Sequence, residues 1–207
     1  MPLTIVPLPS AFSFTSVKKF ALTRASNTVR SRYTGVRQTV VYPYAVWVLE
    51  ANLVEYDNTQ ARLIRSFLSQ LQGQKNGFRL PVPGHSKPTT GFTGNALVNN
   101  PSGVSARANS FAIDNVAPSS NILNEGDYFT INDELKVATT SIASNASGQA
   151  LLSFEPFMRK AVGDNTHVVF QNPTILMHMQ DDDSASWGIS PPYRHKVSFD
   201  AIEVIEA

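Results

Sequence analysis

Between Asp57 and Gln72 the apolar side chains fall at Ala61, Ile64, Phe67, Leu68 and Leu71, the spacing that lines one face of an α-helix. Arg62, Arg65, Ser69 and Gln70 take the other faces. Asp57 offers a carboxylate to the first-turn N–H groups, with Gln60 three residues on, and Gly73 supplies the left-handed residue that closes the helix. The pattern predicts one amphipathic helix over 57–72, ~24 Å long, suited to cover the open face of a sheet.

Elsewhere the period is two. In Val46–Leu53, Trp47, Leu49, Ala51 and Leu53 share one face while Glu50 and Asn52 make the other polar, the signature of a half-buried strand. Pro43 marks a bulge, bend or edge just before it. Residues 28–40 alternate less cleanly, with Val29, Ser31 and Tyr33 opposed to Arg30, Arg32 and Thr34. They read as an arginine-rich edge strand facing solvent or another subunit.

After the helix the composition shifts. Pro81, Pro83, Pro88, Pro101 and Pro118 alternate with Gly84, Gly91, Gly94 and Gly103, which predicts short strands and tight turns. Asp127–Ile131, the turn pair Asn132-Asp133 and Glu134–Ala138 form a hairpin pattern; Gln149–Phe154 adds a strand that stops at Pro156. Strand patterns resume at 166–170, 174–179 and 197–205. The fold class is therefore mainly β: a β-sandwich domain with one packed helix, residues 1–81 plus 165–207, interrupted by a small barrel-like β-module over 82–164. Chain ends that meet at one surface fit such an insertion.

Composition narrows the function classes. Of 207 residues, 42% are hydrophobic and 16% charged, enough apolar matter for a real core and too much for global disorder. No apolar run reaches the ~20 residues of a membrane span, and Met1-Pro2-Leu3 opens with neither the basic lead nor the apolar stretch of a secretory signal. A protein that is soluble and not secreted is expected. The absence of cysteine removes disulfides, thiolate metal sites and thiol nucleophiles.

The net charge is only +1, but its distribution is uneven. Before Glu50 there is no acid, while Lys18, Lys19, Arg24, Arg30, Arg32 and Arg37 are present; from Asp181 onward Asp181, Asp182, Asp183, Asp200, Glu203 and Glu206 outweigh Arg194 and Lys196. A basic and an acidic edge attract each other, either within one chain or between copies. Arg30, Arg32, Arg37, Asp181, Asp182 and Asp183 are thus candidate subunit-interface residues. Trp187, flanked by Ser184, Ser186, Gly188 and Pro191, is another: a loop tryptophan that anchors against the domain body or a neighbour.

Specific chemistry is hard to find. The run Asp181–Asp183 reads as a solvated turn, because strand neighbours point apart and the calcium-loop spacing is missing. His85, His167, His178 and His195 form no metal-binding pair. No phosphate-binding loop or nucleophile elbow occurs. Arginines interleaved with Tyr33, Tyr42 and Tyr44 resemble a single-strand-binding surface, but the domain-wide basic excess of nucleic-acid binders is missing. Trp47, Trp187, Tyr128 and Tyr193 are candidate sugar-stacking rings, with Trp47 excluded by its apolar strand face. No catalytic residue, cofactor or metal is expected.

The order of elements resembles a known family. The strand Ala45–Tyr56, the capped helix Asp57–Leu71, and Leu71-Gln72-Gly73-Gln74-Lys75-Asn76-Gly77-Phe78-Arg79-Leu80-Pro81 are similar to the distal tail and tail-tip structural proteins of tailed bacteriophages. So is the module carrying Leu123–Ile131, Leu135-Lys136-Val137 and Ser147–Pro156. The resemblance spans roughly residues 40–175. It implies a non-enzymatic virion protein, assembled in the host cytoplasm, with six copies in a ring at the end of the tail. The ring would join the tail tube protein to the hub or tip protein and leave a lumen through which genomic DNA passes, without membrane contact. A carbohydrate-binding module that contacts the host surface is the alternative.

Overall fold

The computed structural model describes residues 3 to 205 except Pro192; Glu206, one of the C-terminal acids, lies outside them. In chain order the elements are β1 (Phe14–Arg30), β2 (Arg37–Leu53), α1 (Asn58–Leu71), β3 (Phe78–Pro81), β4 (Ala96–Val98), β5 (Ser110–Asp114), β6 (Asn121–Leu123), β7 (Tyr128–Ile131), β8 (Glu134–Ala138), β9 (Ile142–Ala143), β10 (Ala150–Glu155), β11 (His167–Val169), β12 (Thr174–Met179), β13 (Ala185–Ser190) and β14 (Arg194–Glu203). Among the described residues the fold is mainly β with a single helix, as the periodicity implied. Two compact units divide it: Met1–Phe78 with Met177–Ala207, and Arg79–Leu176.

The first unit is built on a sheet of order β1-β2-β14-β12-β3, with β13 also paired to β14. Strand β14 places Val197, Phe199 and Ala201 on one buried face, and its register sets Phe199 opposite Ala51 and Ala201 opposite Leu49. That face is the one the sequence assigned to Trp47, Leu49, Ala51 and Leu53. Helix α1 buries Ala61, Ile64, Phe67 and Leu71, and Phe67, Phe78 and Phe199 meet around Phe12 as edge-to-face and tilted rings with centroids 5.5–6.5 Å apart. Such contacts add about 0.5–1.5 kcal/mol each beyond the area they bury. The helix begins where Asp57 accepts the Thr59 and Gln60 N–H groups at 2.9 and 2.8 Å. It ends on two consecutive left-handed residues, Gln72 (φ 51°) and Gly73 (φ 66°).

The second unit is a closed barrel of order β10-β5-β4-β11-β7-β8, with β6 and β9 paired beside it. Phe111, Phe129, Phe154 and Phe170 stack its core edge to face or tilted. The β7–β8 turn falls on Asn132 and Asp133, both with positive φ, the mirror-image turn that suits strand twist. One side chain is out of place by composition: Lys136 is fully buried. Its Nζ donates to Glu134 Oε2 at 2.6 Å and to the Phe157 carbonyl at 2.9 Å. Glu134 in turn accepts the backbone N–H groups of Arg159 and Lys160 at 3.0 and 3.1 Å.

Three sequence expectations are corrected. Residues 28–40 are not one edge strand: Ser31–Val36 is the loop of a hairpin, Gly35 taking φ 69° within it, and β1 and β2 lie on either side. The strand at 166–170 does not return to the first domain; β11 pairs with β4 and β7 and buries Val168 in the barrel. An alternating pair of apolar residues specifies a buried face but not which sheet owns it. Trp187 is not in a loop, because Ala185–Ser190 pairs residue for residue with β14.

Candidate assembly surface

Strands β1 and β2 pair over their whole length, from Phe14↔Leu53 to Arg30↔Arg37. Only the foot of this hairpin belongs to the sheet, since β14 is registered against β2 at Val48–Asn52. Beyond Arg24 the ribbon projects by ~20 Å, and no third strand is registered against 26–41 among the described residues. The register slips between Arg24↔Ala45 and Ser26↔Val41, so β2 carries two extra residues there, around Pro43. This is the bulge that the proline predicted.

The ribbon is exposed on both faces. Asn27↔Val40 and Val29↔Gln38 place Val29 and Val40 on one face, 64% and 54% exposed. Thr28↔Thr39 and Arg30↔Arg37 form the other, with Val41 at its foot 64% exposed. Tyr33 stands almost wholly in solvent at the tip. Arg30 and Arg37 are directly opposite one another, an arrangement that costs free energy for like charges. Arg30 Nε donates to the Gly35 carbonyl and Arg37 Nε to Thr39 Oγ1, each at 3.2 Å. No carboxylate of the described chain pairs with Arg30, Arg32 or Arg37.

At the foot one charge is paired and one faces its own sign. Lys19 Nζ meets Glu50 at 3.0 Å, and Asp200 lies across from Glu50 in the register. Burial, reinforced by the Glu50 charge and partly offset by Lys18, pushes the Asp200 carboxyl above its ordinary range. A raised folded-state value means that the ionised form is disfavoured in the fold. The penalty is complete above that value and vanishes below the ordinary carboxylate range. Asp200→Asn is therefore expected to stabilise the first unit by about 0.5 kcal/mol at pH 7. Urea unfolding should find that gain shrinking to nothing as the pH falls through the carboxylate range.

The acidic turn lies at the other edge of β14. Strands β12 and β13 both pair with that edge, β12 with Ala201–Glu203 and β13 with Arg194–Phe199. Residues 180–184 bulge out between them. The bulge is pinned to the end of α1: Asp182 Oδ1 accepts the Gln74 N–H at 3.2 Å, Gln74 Nε2 donates to the Gln180 carbonyl at 2.5 Å, and the Asp181 N–H donates to Ser184 Oγ at 2.6 Å. Asp181, Asp182 and Asp183 are all exposed. They stand beside the negative end of a helix whose last turn has no basic residue.

Trp187 is anchored rather than presented. Arg65 lies over its ring at 4.6 Å, and its Nε1–H donates to His195 Nδ1 at 3.1 Å. Because the indole can only donate, His195 carries its proton on Nε2, which donates to Asn58 Oδ1 at 2.8 Å. Tyr193, 72% exposed, sits in the β13–β14 turn.

In the barrel, the aromatic core is buried, and an open groove of about 750 Å³ is lined by Asn100, Ser102, Gly103, Ser105, Ser110 and Gly163 among others, with no ring and no charge. His178 Nδ1 lies 2.6 Å from the Met179 carbonyl, and His85 packs edge-on to Tyr128. Among the described residues no group of three His, Cys, Asp or Glu is placed to hold a metal, and no helix is long and apolar enough to cross a membrane.

The structure thus brings Arg30, Arg32 and Arg37 together at one tip and Asp181–Asp183 together on one bulge, and it keeps the two groups apart. The row Lys19–Glu50–Asp200 crosses β1, β2 and β14, and the Gln180 N–H donates to the Asp200 carbonyl at 3.1 Å. Arg30 is eleven residues further along β1, roughly 35 Å from that row at strand rise. Attraction within one chain, left open by the sequence, is excluded between the arm tip and the Asp181–Asp183 bulge. Sequence reasoning missed the arm itself; its one signal was a long acid-free stretch ending at Glu50.

No protein-family model matches the chain, and no curated protein matches it.

Proposed function

We propose that this protein is a non-enzymatic structural subunit that self-associates into a ring at the distal end of a bacteriophage tail. In that role six copies join the tail tube protein to the hub or tip protein, leave a lumen for genomic DNA, and assemble in the host cytoplasm before incorporation into the virion. The observation that carries the reading is the arm. A two-stranded ribbon without further support is marginally stable in water, and this one exposes Val29, Val40 and Val41 beside unpaired strand edges, which are templates for another chain. A subunit that covers its arm with its neighbour resolves both liabilities. Contacts of this head-to-tail kind close into rings when the rotation between copies permits. The resemblance to tail-tip proteins supplies the place in the particle.

The test replaces Thr28–Thr39 with Asn-Gly, which closes the hairpin at Asn27↔Val40 with a favoured two-residue turn. Light scattering on a sizing column and negative-stain microscopy should find wild-type rings and a monomeric variant with an unchanged far-UV spectrum. A wild-type protein that stays monomeric at high concentration would refute the reading.

A further inference from the structure

Resting on the self-association just proposed, we infer that the arginine tip of the arm docks on the acidic bulge of a second copy of this chain. Among the described residues the tip collects Arg30, Arg32 and Arg37 without a carboxylate partner, and the opposed pair Arg30↔Arg37 repels itself until an anion intervenes. The bulge collects Asp181, Asp182 and Asp183 beside a helix C-terminus that adds to their negative potential. Each cluster therefore concentrates charge of one sign on an exposed surface, and each complements the other. The ~35 Å that separates the tip from the Asp200 row in one chain forbids the intramolecular contact, so the complementary surface belongs to another copy.

The bulge is built to receive such a partner. Gln74 holds Asp182 through its backbone N–H and Gln180 through its side chain, and Ser184 holds the Asp181 backbone. Asp181 and Asp183 are thereby left exposed on a fixed loop, where a planar guanidinium fork can engage a carboxylate through two hydrogen bonds. A contact between exposed charges is screened by salt, so the ring should loosen as ionic strength rises.

The experiment is a charge exchange read by native mass spectrometry and sizing. Arg30→Glu with Arg32→Glu and Arg37→Glu should raise the concentration needed for assembly at least tenfold. Asp181→Lys with Asp183→Lys, which spares Asp182, should do the same. All five substitutions in one chain should restore assembly, and so should an equimolar mixture of the two reversed proteins. The arm variant with glutamine at the three arginine positions should fall between wild type and reversal, with the same circular-dichroism melt, separating loss of contact from loss of fold. The inference is overturned if either reversal assembles at wild-type concentration or if the combined chain does not recover. It is equally overturned if duplex DNA binds the wild-type arm and loses that binding on reversal while assembly persists. In each of those cases the wild-type ring still stands; absence of any wild-type assembly instead overturns the ring reading itself.

Discussion

Lys136→Met is expected to destabilise the barrel unit by about 3–5 kcal/mol, the usual loss when one member of a buried ion pair is removed. The methionine side chain matches the lysine stem in length and apolarity, so packing around Phe154, whose ring lies 5.9 Å from the ammonium, changes little. What remains is the Glu134 carboxylate, buried and still accepting the Arg159 and Lys160 N–H groups, but without its cation. Glu134→Leu should cost more, because it removes the counter-charge of a buried ammonium and the acceptor of two backbone donors. Replacing both residues by apolar ones should not return the protein to wild-type stability, since the two N–H groups of 159 and 160 lose their acceptor in any background. Urea unfolding followed by hydrogen exchange at β7, β8 and β10 distinguishes the three variants. Equal stability of Lys136→Met and wild type would mean that the pair contributes nothing net.

This pair also marks the limit of what the pattern of residues reveals. Along Glu134-Leu135-Lys136-Val137 the charges alternate with apolar residues, which places Glu134 and Lys136 on a wet face. They are buried because 157–160 folds over them, at separations of 21 to 26 residues. No local period reports a cover that arrives from so far along the chain. The helix is the opposite case. Its stripe, the Asp57 cap and the Gly73 ending are all local chemistry, and each appears where the spacing put it. Strand β1 escapes notice for another reason. It is exposed or half-buried throughout, so it has no apolar alternation to read, and its only trace is the lack of acids. Strand β13 hides similarly, behind a turn-like composition rich in serine. The arm tip was half legible: Arg30, Arg32 and Arg37 could be listed from charge, but the loop at Ser31–Val36 that gathers them could not.

Gly73→Ala should cost the first unit about 2 kcal/mol, in part through Asp182, a residue more than a hundred positions away. At φ 66° any side chain carries a left-handed penalty of about 1 kcal/mol. A β-carbon built there would also stand 2.1 Å from Asp182 Oδ1, so Asp182 must swing aside and release the Gln74 N–H, a further ~1 kcal/mol. A double-mutant cycle separates the two parts. In an Asp182→Ala background the clash is absent and the hydrogen bond already lost, so Gly73→Ala should cost only the conformational half. The coupling between the sites should be about 1 kcal/mol. Additive losses would mean that the bulge gives way without strain. Asp181 and Asp183 flank the residue that is displaced, so a bulge that works as a fixed receptor must lose assembly along with its anchor. Gly73→Ala should weaken the ring while leaving every charge in place, an effect that a contact depending on net charge alone does not produce.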